Sequence, residues 1–394
     1  MYNHRKGTAK LPITKNGVPL SNTEVAIRQT NQKVLFGCAG FESVELVNNE
    51  LTGLKKEQTE KRVEKMKKLF NFMTLPFYWG RFEPEKGKPD TKRILNTAKW
   101  WQEQGLVVKG HPLCWHTVTA PWLMDMSDDD ILQTQLNRIT RDVTDFTGVI
   151  DMWDVINEVV IMPIFDKYDN GITRICKKEG RIGLVRKVFK ACKEANSKAM
   201  LLINDFDMSE SYDILLEGLL EAEIPIDAIG LQSHMHQGYW SHEKTLEILE
   251  RFSRFNLPLH FTEINMVSGD LMPKHIVDLN DFVVDTWPTT PDGEARQAED
   301  IADFYKILFD CPLIEAITYW SYTDGGWLNA PCGLMTNDAR VKPAYDALYN
   351  LIKREWITPE QKLITDANGM VEVSGYKGSY TASFGNENIE FKID

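Results

Sequence analysis

An amide and a carboxylate end one of the most apolar segments of this chain. Residues 152–160 read MWDVINEVV, and Asn157 and Glu158 follow directly on the apolar run. A buried acid costs free energy unless it is paired or used. A second acid, Glu263, lies in another apolar run, LPLHFTEIN at 257–265. Two facing carboxyl groups can divide acid–base work, one holding a proton while the other stays ionised. The alternative is that each acid meets water or caps a neighbouring helix.

Further polar and aromatic side chains lie at or just beyond the ends of other apolar runs. They are His111, Trp115, His116, Gln232, His234, His236, Asn265, Trp320 and Trp327. Amides and imidazoles bind hydroxyl groups, and indole rings stack on sugar rings. Because two carboxyl groups flanking a bond are the working parts of glycoside hydrolysis, this set of residues is typical of a glycan site.

Eight apolar, strand-like runs alternate with amphipathic helical patterns. The runs are 33–41, 72–79, 106–115, 149–158, 199–206, 226–234, 257–265 and 314–322. Continuous apolar strands separated by helices predict a parallel sheet that is buried on both faces. Eight units favour a closed (β/α)₈ barrel, in which reactive side chains lie at the C-terminal ends of the strands. A doubly wound open sheet is the alternative, but no glycine-rich phosphate loop follows the first strand.

The two ends of the chain have a different pattern. Residues 7–32 and 360–394 alternate polar and apolar side chains around Asn-Gly pairs at 16–17 and 368–369, which are hairpin signals. We therefore expect a TIM barrel with a small β appendage formed from the N- and C-terminal segments. The predicted domains are 1–32 and 357–394 for the appendage and 33–356 for the catalytic barrel. The appendage is either a carbohydrate-binding module or a brace, and its lack of Trp favours the brace.

The composition narrows the range of partners. A net charge of −12 argues against nucleic acid or an anionic membrane surface. No segment approaches the roughly 20 apolar residues that span a bilayer. The first residues, MYNHRKGTAK, show no signal peptide, which fits a cytoplasmic protein or a secreted one whose signal has been removed. Composition leaves the oligomeric state unknown.

Five segments, taken in order, resemble the signature segments of glycoside hydrolase family 10. They are GHPLCWH (110–116), WDVINE (153–158), GLQSHMH (230–236), FTEIN (261–265) and YWSYTDGGW (319–327). NDF at 204–206 and KPAY at 342–345 are similar to further landmarks of that family. The resemblance runs from about residue 36 to residue 351, so it covers the whole predicted barrel.

The resemblance implies a retaining β-glycanase, chiefly an endo-1,4-β-xylanase, that acts on a polysaccharide or oligosaccharide without a metal or other cofactor. It implies that Glu158 is the acid/base and Glu263 the nucleophile, with their carboxyl groups about 5–5.5 Å apart. By the same resemblance, Asn157 binds the sugar 2-hydroxyl. The other implied binding residues hold the nucleophile or surround the first sugar: His111, Gln232, His234, Trp115, Trp320 and Trp327.

Two departures from the family pattern leave alternatives open. The family has Glu-Asn-x-Met-Lys-Trp at strand two, whereas residues 74–87 read TLPFYWGRFEPEKG, with Tyr78 and Arg81 as candidate replacements. Asn265 stands where the family generally has Asp. These departures leave open a glycosidase for a different β-glycan and a non-catalytic glycan-binding barrel. Independently of them, the pair His234 and His236, with His111 and His116 nearby, leaves open a metal-dependent hydrolase.

Overall fold

The computed structural model describes residues 2–394. A short 3₁₀ helix, Asn3–Arg5, is followed by four strands that precede the barrel: β1 (Lys6–Pro12), β2 (Thr14–Lys15), β3 (Val18–Pro19) and β4 (Glu24–Gln32). β2 and β3 pair across Asn16 and Gly17, which both have positive φ. This is the two-residue hairpin that the Asn-Gly pair predicts.

Eight parallel strands close into a barrel, which confirms the predicted fold class. They are β5 (Leu35–Ala39), β6 (Phe72–Pro76), β7 (Val107–His111), β8 (Met152–Asn157), β9 (Met200–Asp205), β10 (Ala228–Met235), β11 (Leu259–Met266) and β12 (Ile314–Tyr319). The strands follow chain order around the barrel, and β12 closes it by pairing with β5. The C-terminal ends of the strands therefore meet at one mouth, where a barrel of this kind carries its reactive groups.

Helices alternate with the barrel strands. They are α1 (Ser43–Val47), α2 (Gly53–Leu69), α3 (Trp79–Phe82), α4 (Thr91–Glu103), α5 (Asp128–Asp145), α6 (Gly171–Glu179), α7 (Arg181–Ala195), α8 (Glu210–Glu221), α9 (His242–Ser253), α10 (Pro291–Asp310) and α11 (Pro343–Asn350), which continues as a π-helix (Leu351–Glu355). Ser127 caps α5 by accepting a bond from the Asp130 N–H. Short 3₁₀ turns at Pro121–Asp125, Met162–Ile164 and Leu279–Asp281 lie in the loops. Within residues 2–394, no helix has the length and apolar character needed to cross a membrane.

Four C-terminal strands complete the β appendage: β13 (Gln361–Ile364), β14 (Met370–Tyr376), β15 (Gly378–Phe384) and β16 (Glu387–Ile393). β1 pairs with β14, and β4 lies between β13 and β15 in a four-stranded sheet. The two ends of the chain therefore interleave and bury a small core of their own, which includes Ile13, Val25, Ile27, Val373 and Ala382. The division of the chain at residues 32 and 357 stays a prediction.

The appendage is fastened to the N-terminal end of the barrel, away from the mouth. Asn71, which immediately precedes β6, donates hydrogen bonds to Asn31 Oδ1 (2.9 Å) and to the Val34 carbonyl (3.1 Å). Arg5 Nε donates to the Phe309 carbonyl over 2.9 Å, shortly before β12 begins. Both contacts lie where barrel strands begin, so the position of the appendage supports its interpretation as a brace.

The appendage core provides a stability test. Replacing Ile27, which is fully buried, with alanine is expected to lower the free energy of unfolding by about 2–5 kcal/mol, because the cavity cannot fully close. Ile364 in β13 is 63% exposed, and Ile364→Ala is expected to change it by less than about 0.5 kcal/mol. Urea unfolding followed by circular dichroism measures both values. Equal effects of the two substitutions would contradict a packed appendage core.

Candidate active site

Strand ends bring the two glutamates to the barrel mouth. Glu158 directly follows β8 and has a φ of 57°, a left-handed conformation that is uncommon for a residue with a side chain. Its backbone N–H donates to the Asn204 carbonyl over 2.8 Å, which holds this turn against β9. Glu263 lies within β11, where it is paired in register with Gln232 of β10. The turn after β8 and the register of β11 therefore set both carboxyl groups at one mouth.

The Glu158 carboxyl group accepts three hydrogen bonds. Trp115 Nε1 donates to Oε2 over 2.8 Å, while Asn157 Nδ2 and Gln232 Nε2 donate to Oε1 over 3.1 and 3.3 Å. Burial in the mouth raises the pKa of Glu158 to about 8, and the negative charge of Glu263 adds to this effect. The hydrogen bond from Trp115 opposes the rise without cancelling it. Glu158 therefore carries a proton near neutral pH.

The Glu263 carboxyl group has the opposite electrostatic environment, although it is only 5% exposed. Asn204 Nδ2 donates to Oε1 over 2.9 Å, and His234 Nε2 lies 3.2 Å from Oε2. His111 Nε2 lies 3.9 Å from Oε1. Burial alone would raise the pKa of Glu263, but the charge of His111 and the hydrogen bond from His234 outweigh it and hold the pKa below its ordinary value. Glu263 is therefore ionised near neutral pH.

A chain of side-chain amides joins the two carboxyl groups. Asn204 Nδ2 donates to Asn157 Oδ1 over 2.7 Å as well as to Glu263. Thr262 Oγ1 donates to Asn204 Oδ1 over 2.6 Å, which fixes the orientation of that amide. Asn204 was noted in the sequence only as part of a family landmark. Its position at the end of the apolar run LLIND is the signal that marks it as a site residue.

A buried charged group supports the mouth from inside the barrel. Asp154 Oδ2 lies 2.7 Å from Lys109 Nζ and 2.8 Å from His111 Nδ1, and all three side chains are at most 1% exposed. Burial would raise the pKa of Asp154, but the charges of Lys109 and His111 outweigh it and lower the pKa. The contact with Asp154 occupies Nδ1 of His111 and turns its Nε2 toward Glu263. Sequence reasoning missed this pair, although a Lys and an Asp inside apolar strands were visible signals.

Asn265 orients His234. The Ser321 backbone N–H donates to Asn265 Oδ1 over 3.0 Å, so the amide nitrogen is the atom that faces His234 Nδ1, also at 3.0 Å. Because an amide nitrogen donates, His234 Nδ1 accepts, and Nε2 carries the hydrogen that points at Glu263. Asn265 thus selects one tautomer of His234.

Aromatic side chains line the mouth, including the three indoles that the sequence indicated. The Trp320 ring meets His111 edge-on at 5.0 Å, and the Trp327 ring meets His234 at 4.8 Å. The Trp115 ring lies 5.5 Å from Tyr78. These contacts place flat apolar surfaces around both carboxyl groups, as stacking on sugar rings requires.

The unusual strand-two segment also reaches the mouth. Tyr78 precedes α3 and meets the His111 ring edge-on at 5.7 Å. The Arg81 guanidinium lies 5.8 Å from the Tyr78 ring centroid, and Arg81 is exposed. The structure therefore places both candidate replacements beside the site rather than on the outer wall of the barrel.

The two remaining candidate histidines, His116 and His236, lie at the edge of the site. His116 packs on Phe165 with ring centroids 4.5 Å apart, and burial lowers its pKa to about 4. His236 lies 6.2 Å from His234 between ring centroids, and burial lowers its pKa to about 3. Over residues 2–394, no three His, Cys, Asp or Glu side chains converge in an arrangement that could hold a metal ion.

Most of the chain, including the barrel that carries this site, resembles known proteins. Residues 40–351 match the sequence profile described as Glycosyl hydrolase family 10. Endo-1,4-beta-xylanase B of Thermotoga neapolitana is 26% identical over 280 residues, which cover 67% of this chain and 73% of that protein. Endo-1,4-beta-xylanase/feruloyl esterase of Xylanibacter ruminicola is 23% identical over 291 residues, which cover 67% of this chain and 39% of that protein. The crystal structure of xylanase 10B from Thermotoga petrophila RKU-1 in complex with xylobiose has a TM-score of 0.66 at 22% identity, covering 82% of this chain and 95% of that one.

The buried pair beneath the mouth yields a prediction. Lys109→Met is expected to lower the free energy of unfolding by about 3–5 kcal/mol, because it leaves the Asp154 carboxylate buried without its cation. The double variant Lys109→Met/Asp154→Leu is expected to recover part of that loss. Urea unfolding measures both.

Lys178→Met is the matched control, since Lys178 pairs with Asp129 on the exposed surface. It is expected to unfold at the same urea concentration as the wild type. If Lys109→Met also unfolded there, leaving the buried Asp154 carboxylate without its cation would carry no cost, which would contradict the prediction.

Proposed function

This chain belongs to glycosyl hydrolase family 10, and from that membership we propose that it is an endo-1,4-β-xylanase that retains the anomeric configuration. The observation that carries the proposal is the pair of carboxyl groups at one mouth with opposite pKa shifts, Glu158 upward and Glu263 downward. A retaining glycosidase needs one protonated and one ionised carboxyl group at neutral pH. The xylanase names of the relatives support xylan as the substrate class.

In the first step, the ionised Glu263 attacks the anomeric carbon, and the glycosidic bond breaks. Glu158 gives its proton to the departing oxygen, so the leaving sugar departs as a neutral alcohol. The product is a glycosyl ester on Glu263 and an ionised Glu158. Hydrogen bonds from Asn204 and His234 hold Glu263 in the orientation for attack.

In the second step, Glu158 takes a proton from water, and the water oxygen attacks the anomeric carbon. Ester formation removes the negative charge of Glu263, which is one of the causes of the raised pKa of Glu158. The pKa of Glu158 therefore falls after the first step, but burial keeps it above the ordinary value. This change suits the switch of Glu158 from acid to base, and hydrolysis of the ester restores both groups.

The remaining mouth residues bind the sugar. Asn157 and Gln232 present amide groups beside Glu158 and bind hydroxyl groups of the sugar at the reacting carbon. Trp115, Trp320 and Trp327 enclose that sugar. Tyr78 and Arg81 take the place of the family's Asn and Lys in contacting the next sugar. A separation of about 5–5.5 Å between the two carboxyl groups stays a prediction of this mechanism.

The two proposed roles predict different effects of replacing Glu263 and Glu158. Glu263→Ala is expected to abolish release of oligosaccharides from β-1,4-xylan, a loss of at least about 10⁴-fold, because no ester can form. Glu158→Ala is expected to lose xylan cleavage but to retain cleavage of an aryl β-xylobioside whose leaving group needs no proton. Reducing-sugar release and phenolate absorbance measure the two reactions. Glu247→Ala, at an exposed helical position, is the control.

The outcomes separate the alternatives. Normal xylan cleavage by Glu263→Ala would contradict the assignment of the nucleophile. Cleavage of a different β-glycan by the wild type, and none of xylan, would keep the mechanism and change the substrate. Binding of xylan without any cleavage would identify a non-catalytic barrel.

The opposite pKa shifts predict a pH profile for kcat/KM. Activity is expected to fall above about pH 8, where the free enzyme loses the proton of Glu158. It is also expected to fall at acidic pH, below the ordinary glutamate pKa of 4.5, where Glu263 gains a proton. Initial rates across this range measure both limbs. In Glu158→Ala with the aryl substrate, the alkaline limb is expected to disappear, and its persistence would contradict the role of Glu158.

A further inference from the structure

The segment between β11 and α10, residues 267–290, forms a long loop that we call the strap. Its two ends are held together, because Ser268 Oγ lies 2.8 Å from Thr289 Oγ1 and the Thr290 N–H donates to the Ser268 carbonyl over 2.9 Å. Trp287 Nε1 donates to the Asp270 carbonyl over 2.8 Å, which adds a second tie near the base. The 3₁₀ turn Leu279–Asp281 therefore lies far along a loop whose base is fixed.

The 3₁₀ turn of the strap lies next to the site. Trp327 Nε1 donates to Asn280 Oδ1 over 3.3 Å. The ring of the same Trp327 packs on His234, which in turn lies 3.2 Å from the Glu263 carboxylate. Asn280 is thus separated from the proposed nucleophile by only two side chains.

Lys167 joins the strap to the opposite side of the mouth. Lys167 lies in the loop that follows Glu158, and its Nζ is 2.7 Å from both Asp278 Oδ2 and Asp281 Oδ1. The neighbouring Tyr168 packs edge-on against Phe165 at 4.9 Å, within the same loop. These two ion pairs of Lys167, with Asp278 and Asp281, are called the bridge. The bridge joins the loop after Glu158 to the loop after Glu263.

The order of strands around the barrel shows how the bridge lies relative to the path of the glycan. β8 and β11 are separated in the barrel by β9 and β10. Since the acid and the nucleophile act on opposite sides of the scissile bond, a glycan must pass between Glu158 and Glu263. Trp115, Trp320 and Tyr78 come from the β6, β7 and β12 side of the mouth. The ion pairs of Lys167 join the loop after β8 to the loop after β11, so they connect the two sides of that path.

We infer that Lys167, together with Asp278 and Asp281, is a specificity determinant that spans the cleft and restricts the entry of long xylan chains. This inference rests on the proposed function. Short xylo-oligosaccharides fit under the closed bridge, whereas a polymer enters only after the bridge opens. The ratio of polymer to oligosaccharide cleavage is therefore set by the bridge and not by the chemical step.

The charges involved make the bridge easy to open. The side chains of Lys167, Asp278 and Asp281 are 42%, 36% and 64% exposed. Ion pairs at such positions are weak and are screened further by salt. Removing the Lys167 ammonium also leaves two neighbouring carboxylates that repel each other. Both salt and Lys167→Ala are therefore expected to shift the strap toward its open position.

The test compares kcat/KM on soluble polymeric β-1,4-xylan with kcat/KM on xylotetraose. Lys167→Ala is expected to raise the polymer-to-oligosaccharide ratio by about threefold or more, since weak ion pairs hold the bridge. Roughly 0.5 M sodium chloride is expected to raise the ratio in the wild type and not in Lys167→Ala. Lys167→Arg keeps the charge and is expected to keep the wild-type ratio. Lys178→Ala, which removes a surface lysine paired with Asp129, is the matched control.

The failure of the inference and the failure of the proposed function are distinguishable. An unchanged ratio in Lys167→Ala, beside an active wild type, overturns the inference alone. If the wild type cleaves no xylan, the proposed function fails. Hydrogen exchange of the backbone amides of residues 270–285 then tests whether Lys167 holds the strap in place. Faster exchange in Lys167→Ala than in Lys178→Ala supports the bridge, and equal exchange overturns it.

Discussion

Two ionised carboxyl groups at one barrel mouth repel each other, and the surrounding structure relieves this repulsion by giving them different charges. Glu158 is partly buried beside the negative charge of Glu263, so its protonated form is favoured. Glu263 faces His111 and His234, so its ionised form is favoured despite burial. The acid and the nucleophile of the proposed mechanism therefore differ because of their neighbours and not because of their chemistry.

That difference depends on groups placed deeper in the barrel. Asp154 is fully buried and is paired with both Lys109 and His111, so the barrel interior contains a balanced set of charges instead of a purely apolar layer. A buried ion pair contributes little net stability, but it fixes geometry when all its members are paired. Here it directs His111 toward Glu263. Asn265 orients His234 from the other side in the same way.

Loop residues stand at the two ends of the cleft, away from the two glutamates. Tyr78 and Arg81 stand on one side, and the strap with Lys167 stands on the other. Neither loop touches the centre of the site directly, because neither Arg81 nor Lys167 contacts the Glu158 or Glu263 carboxyl group among the described residues. In a barrel of this kind, strand ends carry the reaction and loops carry the choice of substrate. The β appendage lies at the opposite end and leaves the cleft open to these loops.

The sequence by itself determined the eight strand–helix units, the paired terminal segments, the two glutamates and the indoles, because each has a local signature of apolar run, turn or motif. The division of the segment before residue 195 into two helices, α6 and α7, occurs at Gly180, which has a φ of 72°. Only the tertiary structure decided that Asn204 links both carboxyl groups, that Lys109 neutralises Asp154, and that Lys167 reaches Asp278 from more than 100 residues away. These contacts depend on strand register and loop path, which arise when distant segments close the barrel, and no local pattern encodes them.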